Sequence, residues 1–227
     1  MRADGPTPGA AAADFEALLV HAQRQLEDLY ALDAQPPVTE FLIAEGDSHA
    51  WPGDGSRTLV RQDGDEMALG VVLAPAVADA LARDDPRRGL HRHNLGAFCT
   101  LTEEVSHFVL LLFCATRSRT VSQLELELQA EVDKYLCALA LLSLRDEGAL
   151  SVRLKELLFR EYRLVDGLTP ERAERYHAAS ALAYRYCRFL EVEYLRAGRA
   201  DDLRREARRF YRLGQAGKLE RIAAVQR

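Results

Sequence analysis

The chain has 227 residues, of which 48% are hydrophobic and 29% charged, with a formal net charge of -5. That suits a single globular domain with a substantial core and excludes a collagen-like or wholly disordered chain. The longest unbroken apolar run, Phe108 to Ala115, is far shorter than a membrane span, and no apolar core of signal-peptide length precedes it. The expectation is a cytoplasmic protein with no membrane association.

The first 13 residues mix Pro, Gly and Ala with Asp4 and read as a disordered leader, and residues 14–227 as one mainly α domain. Asp14 is a plausible N-cap for a helix over 14–33, with Phe15, Leu18, Leu19, Ala22, Leu26, Leu29 and Tyr30 at helical spacing and Pro36-Pro37 beyond its end. Residues 38–73 change character. Val38 to Ala44 reads as a strand, a polar loop with His49 and Trp51 follows, and two extended runs flank Asp63-Gly64, a hairpin signal. About three antiparallel strands are expected, packed on helices.

From Pro75 the pattern is helical. A short helix over 75–83 is followed by a polar connector, with Asn94 as the expected N-cap of a helix that is apolar nearly all round after Val105. A short link at 117–120 leads to the longest helix, Val121 to Arg145, so these two helices are antiparallel neighbours. Helices are expected over about 150–163, from Thr169-Pro170-Glu171 to about Arg196, over 200–213 and over 217–226. The fold class is therefore mainly α: a bundle-like domain with a small N-terminal antiparallel sheet. The four cysteines, Cys99, Cys114, Cys137 and Cys187, sit in apolar helical patterns with no CxxC pair and read as buried thiols.

Three groups of residues can carry chemistry. Glu104 and His107, and again Glu174 and His177, are E-x-x-H pairs, which place a carboxylate and an imidazole on one helix face. With Glu131 from the long helix they form a set of hard oxygen donors and imidazoles. That set resembles the Glu and E-x-x-H ligands of ferritin-like di-metal proteins, and the resemblance implies iron or manganese. On the long helix Glu127, Glu131 and Lys134 share one edge. That edge is either a solvated face with one ion pair, or a half-buried polar network joined by His107 from the preceding helix. Such a network can bind a metal, do acid/base work or fix the helix register.

The second group, Arg88 and His93, has a spacing that resembles the R-x(4–6)-H element of helical HEPN ribonucleases, which implies an RNA-cleaving alternative. The third is the tail. Residues 196–227 hold ten basic and four acidic residues, leaving the rest of the chain at -11. Arg204, Arg205, Arg208, Arg209 and Arg212 form one helix face there. An acidic body with a basic helix suits contact with another protein or a nucleic acid, or internal pairing of the tail with the body. Leu-rich helices permit a homodimer.

No dinucleotide fingerprint, G-x-S-x-G elbow, H-E-x-x-H, zinc-ligand spacing or P-loop is present. The leading expectation is thus a non-catalytic interaction protein acting through the basic helix, with no cofactor assigned. The di-metal protein and the ribonuclease are the alternatives.

Overall fold

The computed structural model describes residues 8–44, 55–64, 66–143, 150–159 and 169–225. The His49–Trp51 loop and the first seven residues lie outside them. The described chain is predominantly helical with one small antiparallel sheet.

Helix α1 spans Pro8–Tyr30, starting before the expected Asp14. Leu18, Leu19, Ala22, Leu26 and Tyr30 form its buried stripe. It ends where Ala31 adopts φ 47° and the Leu32 N–H returns to the Glu27 carbonyl at 2.9 Å. Pro36-Pro37 then turns the chain into a 3₁₀ turn, Val38–Phe41.

Among the described residues the sheet has two strands rather than about three. Strand β1, Arg57–Asp63, pairs antiparallel with β2, Glu66–Val72, in a register running from Arg57↔Val72 to Asp63↔Glu66. Gly64 takes φ 59° at the expected turn. The segment expected as a third strand, Val38–Ala44, makes a single parallel bridge, Leu42↔Val71. The reason is local. The Val38 N–H donates to Gln23 Oε1 at 2.7 Å instead of to a neighbouring strand, and the 3₁₀ turn consumes the next residues. Ile43 then packs so closely over Gly70 that a Cβ there would lie 2.3 Å from it.

Helix α2, Pro75–Arg83, leads to α3, Arg92–Ala115, the axis of the bundle. The cap of α3 is His91, not Asn94. The His93 N–H donates to His91 Nδ1 at 3.3 Å, and Asn94 Oδ1 accepts from the His91 N–H at 2.9 Å. Asn94 therefore serves three residues inside the helix start, in a reciprocal capping box. From Glu104 to Leu111 every residue of α3 is buried. By length and composition α3 is apolar enough to cross a membrane, but 72% of its most apolar window is buried inside the fold, as expected of a central core helix.

A tight turn connects α3 to the antiparallel α4, Gln123–Ser143. Helices α5, Leu150–Phe159, and α6, Pro170–Leu190, pack on α4, and α6 starts at the expected Thr169 cap. A π-helical turn, Glu191–Leu195, leads to α7, Ala200–Arg212, and α8, Gln215–Ala224. The core is one contiguous cluster in which Tyr30 stacks on Tyr211 at 4.0 Å and Tyr186 on Phe210 at 3.9 Å.

The arginines of α7 do two jobs. Arg208 donates to the carbonyls of Leu29 at 2.9 Å and Asp28 at 3.2 Å, and Arg212 to that of Ala31 at 3.2 Å. These carbonyls lie at the negative end of α1, where a cation is most favourable. Arg204 and Arg205 pair with Asp201 and Asp202 one turn back, and Arg209 is exposed. Replacing both Arg208 and Arg212 by Ala is expected to cost about 1–2 kcal/mol in denaturant unfolding, whereas Arg204→Ala changes stability by less than ~0.5 kcal/mol.

Candidate metal centre

The antiparallel contact of α3 and α4 is polar in its middle. On α3, Glu103 and His107 are four residues apart and Glu104 is three before His107, so all three face α4 or the sheet. On α4, Glu127, Glu131 and Lys134 share the facing edge. One ligand atom each from Glu103, His107 and Glu127 lie within 4.8 Å of one another, and among the described residues this is the group with that geometry.

His107 Nε2 lies 3.5 Å from Glu127 Oε2 and makes no hydrogen bond, although it is buried. Apart from this ion-pair contact with Glu127 the buried nitrogen is left without a hydrogen bond, a cost that a bound ion can remove. The other ring nitrogen, Nδ1, lies 4.0 Å from Glu104 Oε2, and that carboxylate is fixed by the Thr58 hydroxyl of β1 at 2.8 Å. Metal-bound imidazoles are typically oriented by such a carboxylate behind them. Lys134 Nζ sits 2.5 Å from Glu103 Oε2 and 2.7 Å from Glu131 Oε1. The Tyr176 hydroxyl of α6 approaches the other oxygen of Glu103 at 3.4 Å.

The electrostatics follow from burial against a surplus of acid. Burial raises Glu104 to about 7, with Glu103 and Glu127 adding to the effect against the opposing pull of His107 and Thr58. Burial also works against the imidazolium of His107, but Glu127, Glu104 and Glu103 outweigh it and raise His107 to about 9. Glu103 resists burial because Lys134 and His107 hold it below the usual carboxylate range. Burial lifts Glu131 in spite of Lys134, and Lys134 itself is raised by Glu103 and Glu131 against its own burial. The cluster thus gathers more carboxylates, Glu103, Glu104, Glu127 and Glu131, than cations, Lys134 and the imidazolium of His107.

The residues singled out from the sequence are divided by the fold. His107 falls in the cluster, and Glu104 stands behind it, 4.0 Å from Nδ1. Glu131 stands at its edge, engaged by Lys134. Glu174 and His177 are exposed on α6. Glu103 was absent from the expected set, and Glu127 entered it only as part of the polar edge. The usable signal was the i,i+4 spacing of Glu103 and His107, together with the like-charged Glu127 and Glu131 facing the preceding helix. Arg88 lies exposed in the turn before α3, and His93 is exposed on the first turn of α3. Cys114, Cys137 and Cys187 are buried free thiols, and Cys99 is half-buried.

A second buried network lies further along the same helix pair. Asp133 accepts hydrogen bonds from Tyr30, from Ser106 at 2.6 Å and from Gln129 at 2.8 Å. A third pins α8: Lys218, fully buried, lies 3.3 Å from Glu125 Oε1, which also accepts from Arg119 at 2.8 Å. Neither of these presents three metal-competent ligand atoms.

No protein-family model, curated protein sequence or solved structure matches the chain.

Proposed function

We propose that this protein is a carboxylate/histidine metal protein that holds a divalent transition metal, manganese or iron, through Glu103, His107 and Glu127. The observation that carries this reading is the buried His107 Nε2, which makes no hydrogen bond, converging with two carboxylates inside the fold. Two hard oxygen donors and one imidazole suit manganese(II) or iron(II) better than a thiolate-preferring ion. The surplus of carboxylates over cations in the cluster supports the same conclusion.

A bound ion would supply Lewis acidity in a site screened from bulk water. The chain's own contribution is distinct. Glu104, held near neutrality by burial, is placed to accept or return a proton beside His107, and Thr58 fixes its orientation. Tyr176 and Lys134 hold Glu103 in place.

The test is a titration of chelator-stripped protein with manganese(II), followed by calorimetry and by the loss of the free-ion paramagnetic signal. Saturable binding is expected, with release of protons, because the imidazole must be deprotonated to ligate. Thermal stability is expected to rise by about 2.7 kcal/mol at a hundredfold excess of ion over its dissociation constant. If the ion leaves the melting curve unchanged and no saturable binding is seen, the cluster is a network that fixes the register of α3 and α4 and nothing more.

A further inference from the structure

Glu103 belongs to two cation positions at once. On one side it converges with His107 and Glu127. On the other it shares Lys134 with Glu131, at 2.5 Å and 2.7 Å from the ammonium nitrogen. Lys134 is only 8% exposed, and it projects from the same helix as Glu127 and Glu131. An ammonium group between two carboxylates has the position and the sign of charge of a second metal ion in a carboxylate-bridged pair. It differs in being covalently attached, so it cannot exchange or be chelated. It also carries one charge instead of two.

We propose that Lys134 is a built-in cation in the second of two carboxylate-bound positions, so that the protein takes one exchangeable divalent ion per chain and Glu131 is not a metal ligand. This rests on the metal reading above. In place of the di-metal centre expected from the E-x-x-H pairs, it gives a one-metal centre whose carboxylate Glu103 is shared with a lysine. Lys134 thereby holds Glu103 in position whether or not the ion is present.

The experiment is equilibrium dialysis of chelator-stripped protein against manganese(II), with the ion-to-protein ratio read by elemental analysis and the spin state by paramagnetic resonance. Wild type is expected to bind one ion with an uncoupled signal. Lys134→Ser empties the second position while leaving room for an ion and water, and is expected to bind two ions with an exchange-coupled signal. Adding Glu131→Gln to Lys134→Ser is expected to return the ratio to one. Circular dichroism checks that the variants are folded.

Two ions on wild type overturn the proposal, and so does a folded Lys134→Ser variant that still binds one; in both cases the metal reading survives. Absence of bound ion on every protein overturns the metal reading and the proposal with it. If Lys134→Ser does not fold, Glu131→Gln alone decides. It is expected to keep one ion at near wild-type affinity, and loss of that ion would make Glu131 a ligand and overturn the proposal.

Discussion

Replacing Glu127 by Gln is expected to lower manganese(II) affinity by at least about 100-fold, the upper end of what loss of even an outer-shell partner of a metal costs. The substitution keeps the volume of the side chain and its reach towards His107 Nε2, 3.5 Å away in the native site. What it removes is one anionic ligand. The variant is expected to stay folded, because Gln retains a carbonyl acceptor and a donor and the neighbouring apolar packing is untouched. The contrast that gives this result its meaning is Glu174→Gln and His177→Ala. Both residues are exposed on α6, and both substitutions are expected to leave affinity within about threefold of wild type, since a surface group away from the ion alters it only through screened electrostatics. Calorimetry on the three variants at one pH and salt concentration checks this. Equal losses for Glu127→Gln and His177→Ala would place the ion elsewhere.

The second large effect concerns stability. Asp133 is 1% exposed and accepts from Tyr30, Ser106 and Gln129. Asp133→Ala leaves three donors competing for fewer acceptors and opens a void, and is expected to cost about 2–4 kcal/mol. For a chain of this size that is a fall in Tm of roughly 5–15 °C. Asp133→Asn keeps the shape and one acceptor, and the Ser106 hydroxyl can rotate to accept from the new amide. It is expected to lie within ~1 kcal/mol of wild type at pH 7, because weaker hydrogen bonds are offset by relief from burying a charge.

The pH dependence separates these terms. Burial raises the Asp133 carboxyl from 3.8 to about 6, against the three hydrogen bonds that favour the anion. Between those values the folded state holds a proton that the unfolded chain has released. Stability from this group therefore falls as pH rises through the window and is flat above it. Relative to Asp133→Asn, wild type is expected to lose up to ~3 kcal/mol between pH 4 and pH 6.5, measured as the difference between the two denaturant-unfolding profiles. A difference that grows in favour of wild type as pH rises would show that the hydrogen bonds outweigh burial.

Much of the architecture was legible because single elements carried their own signals. Thr169-Pro170 marked the start of α6 through cap chemistry and a fixed φ, and the all-round apolar run after Val105 marked the buried axis. The hairpin followed from Asp63-Gly64. The errors lie where one element depends on another. Val38 to Ala44 is rich enough in Val, Thr, Phe and Ile to suggest a strand, but the Gln23 side chain of α1 takes its first N–H and the Pro-Pro entry favours a 3₁₀ turn. Asn94 has the chemistry of a cap, but His91 occupies that position and Asn94 reciprocates from within the helix.

The site shows the same division. Antiparallel packing of α3 and α4 was readable from the short link, and so was the opposition of His107 to the Glu127 edge. The rotation of each helix about its axis was not. That rotation is set by the whole core, and it brings Glu103 into the cluster beside Glu104. It likewise turns Glu174 and His177 outward. Sequence spacing places residues on a face but does not say which face meets the neighbour. The basic stripe of α7 is a comparable case: two of its arginines are directed at the end of α1, a contact across 179 and 181 positions of sequence that no local pattern encodes.

The most direct test of the central claim is a crystal of the protein grown with manganese(II) and measured on both sides of the manganese absorption edge. The account predicts one anomalous peak per chain between α3 and α4, with oxygens of Glu103 and Glu127 and His107 Nε2 at about 2.0–2.3 Å, and with Lys134 still seated between Glu103 and Glu131. A map with no peak there, or with manganese bound only at surface carboxylates, would contradict it and leave the Glu-His-Glu cluster as a device that holds two helices in register.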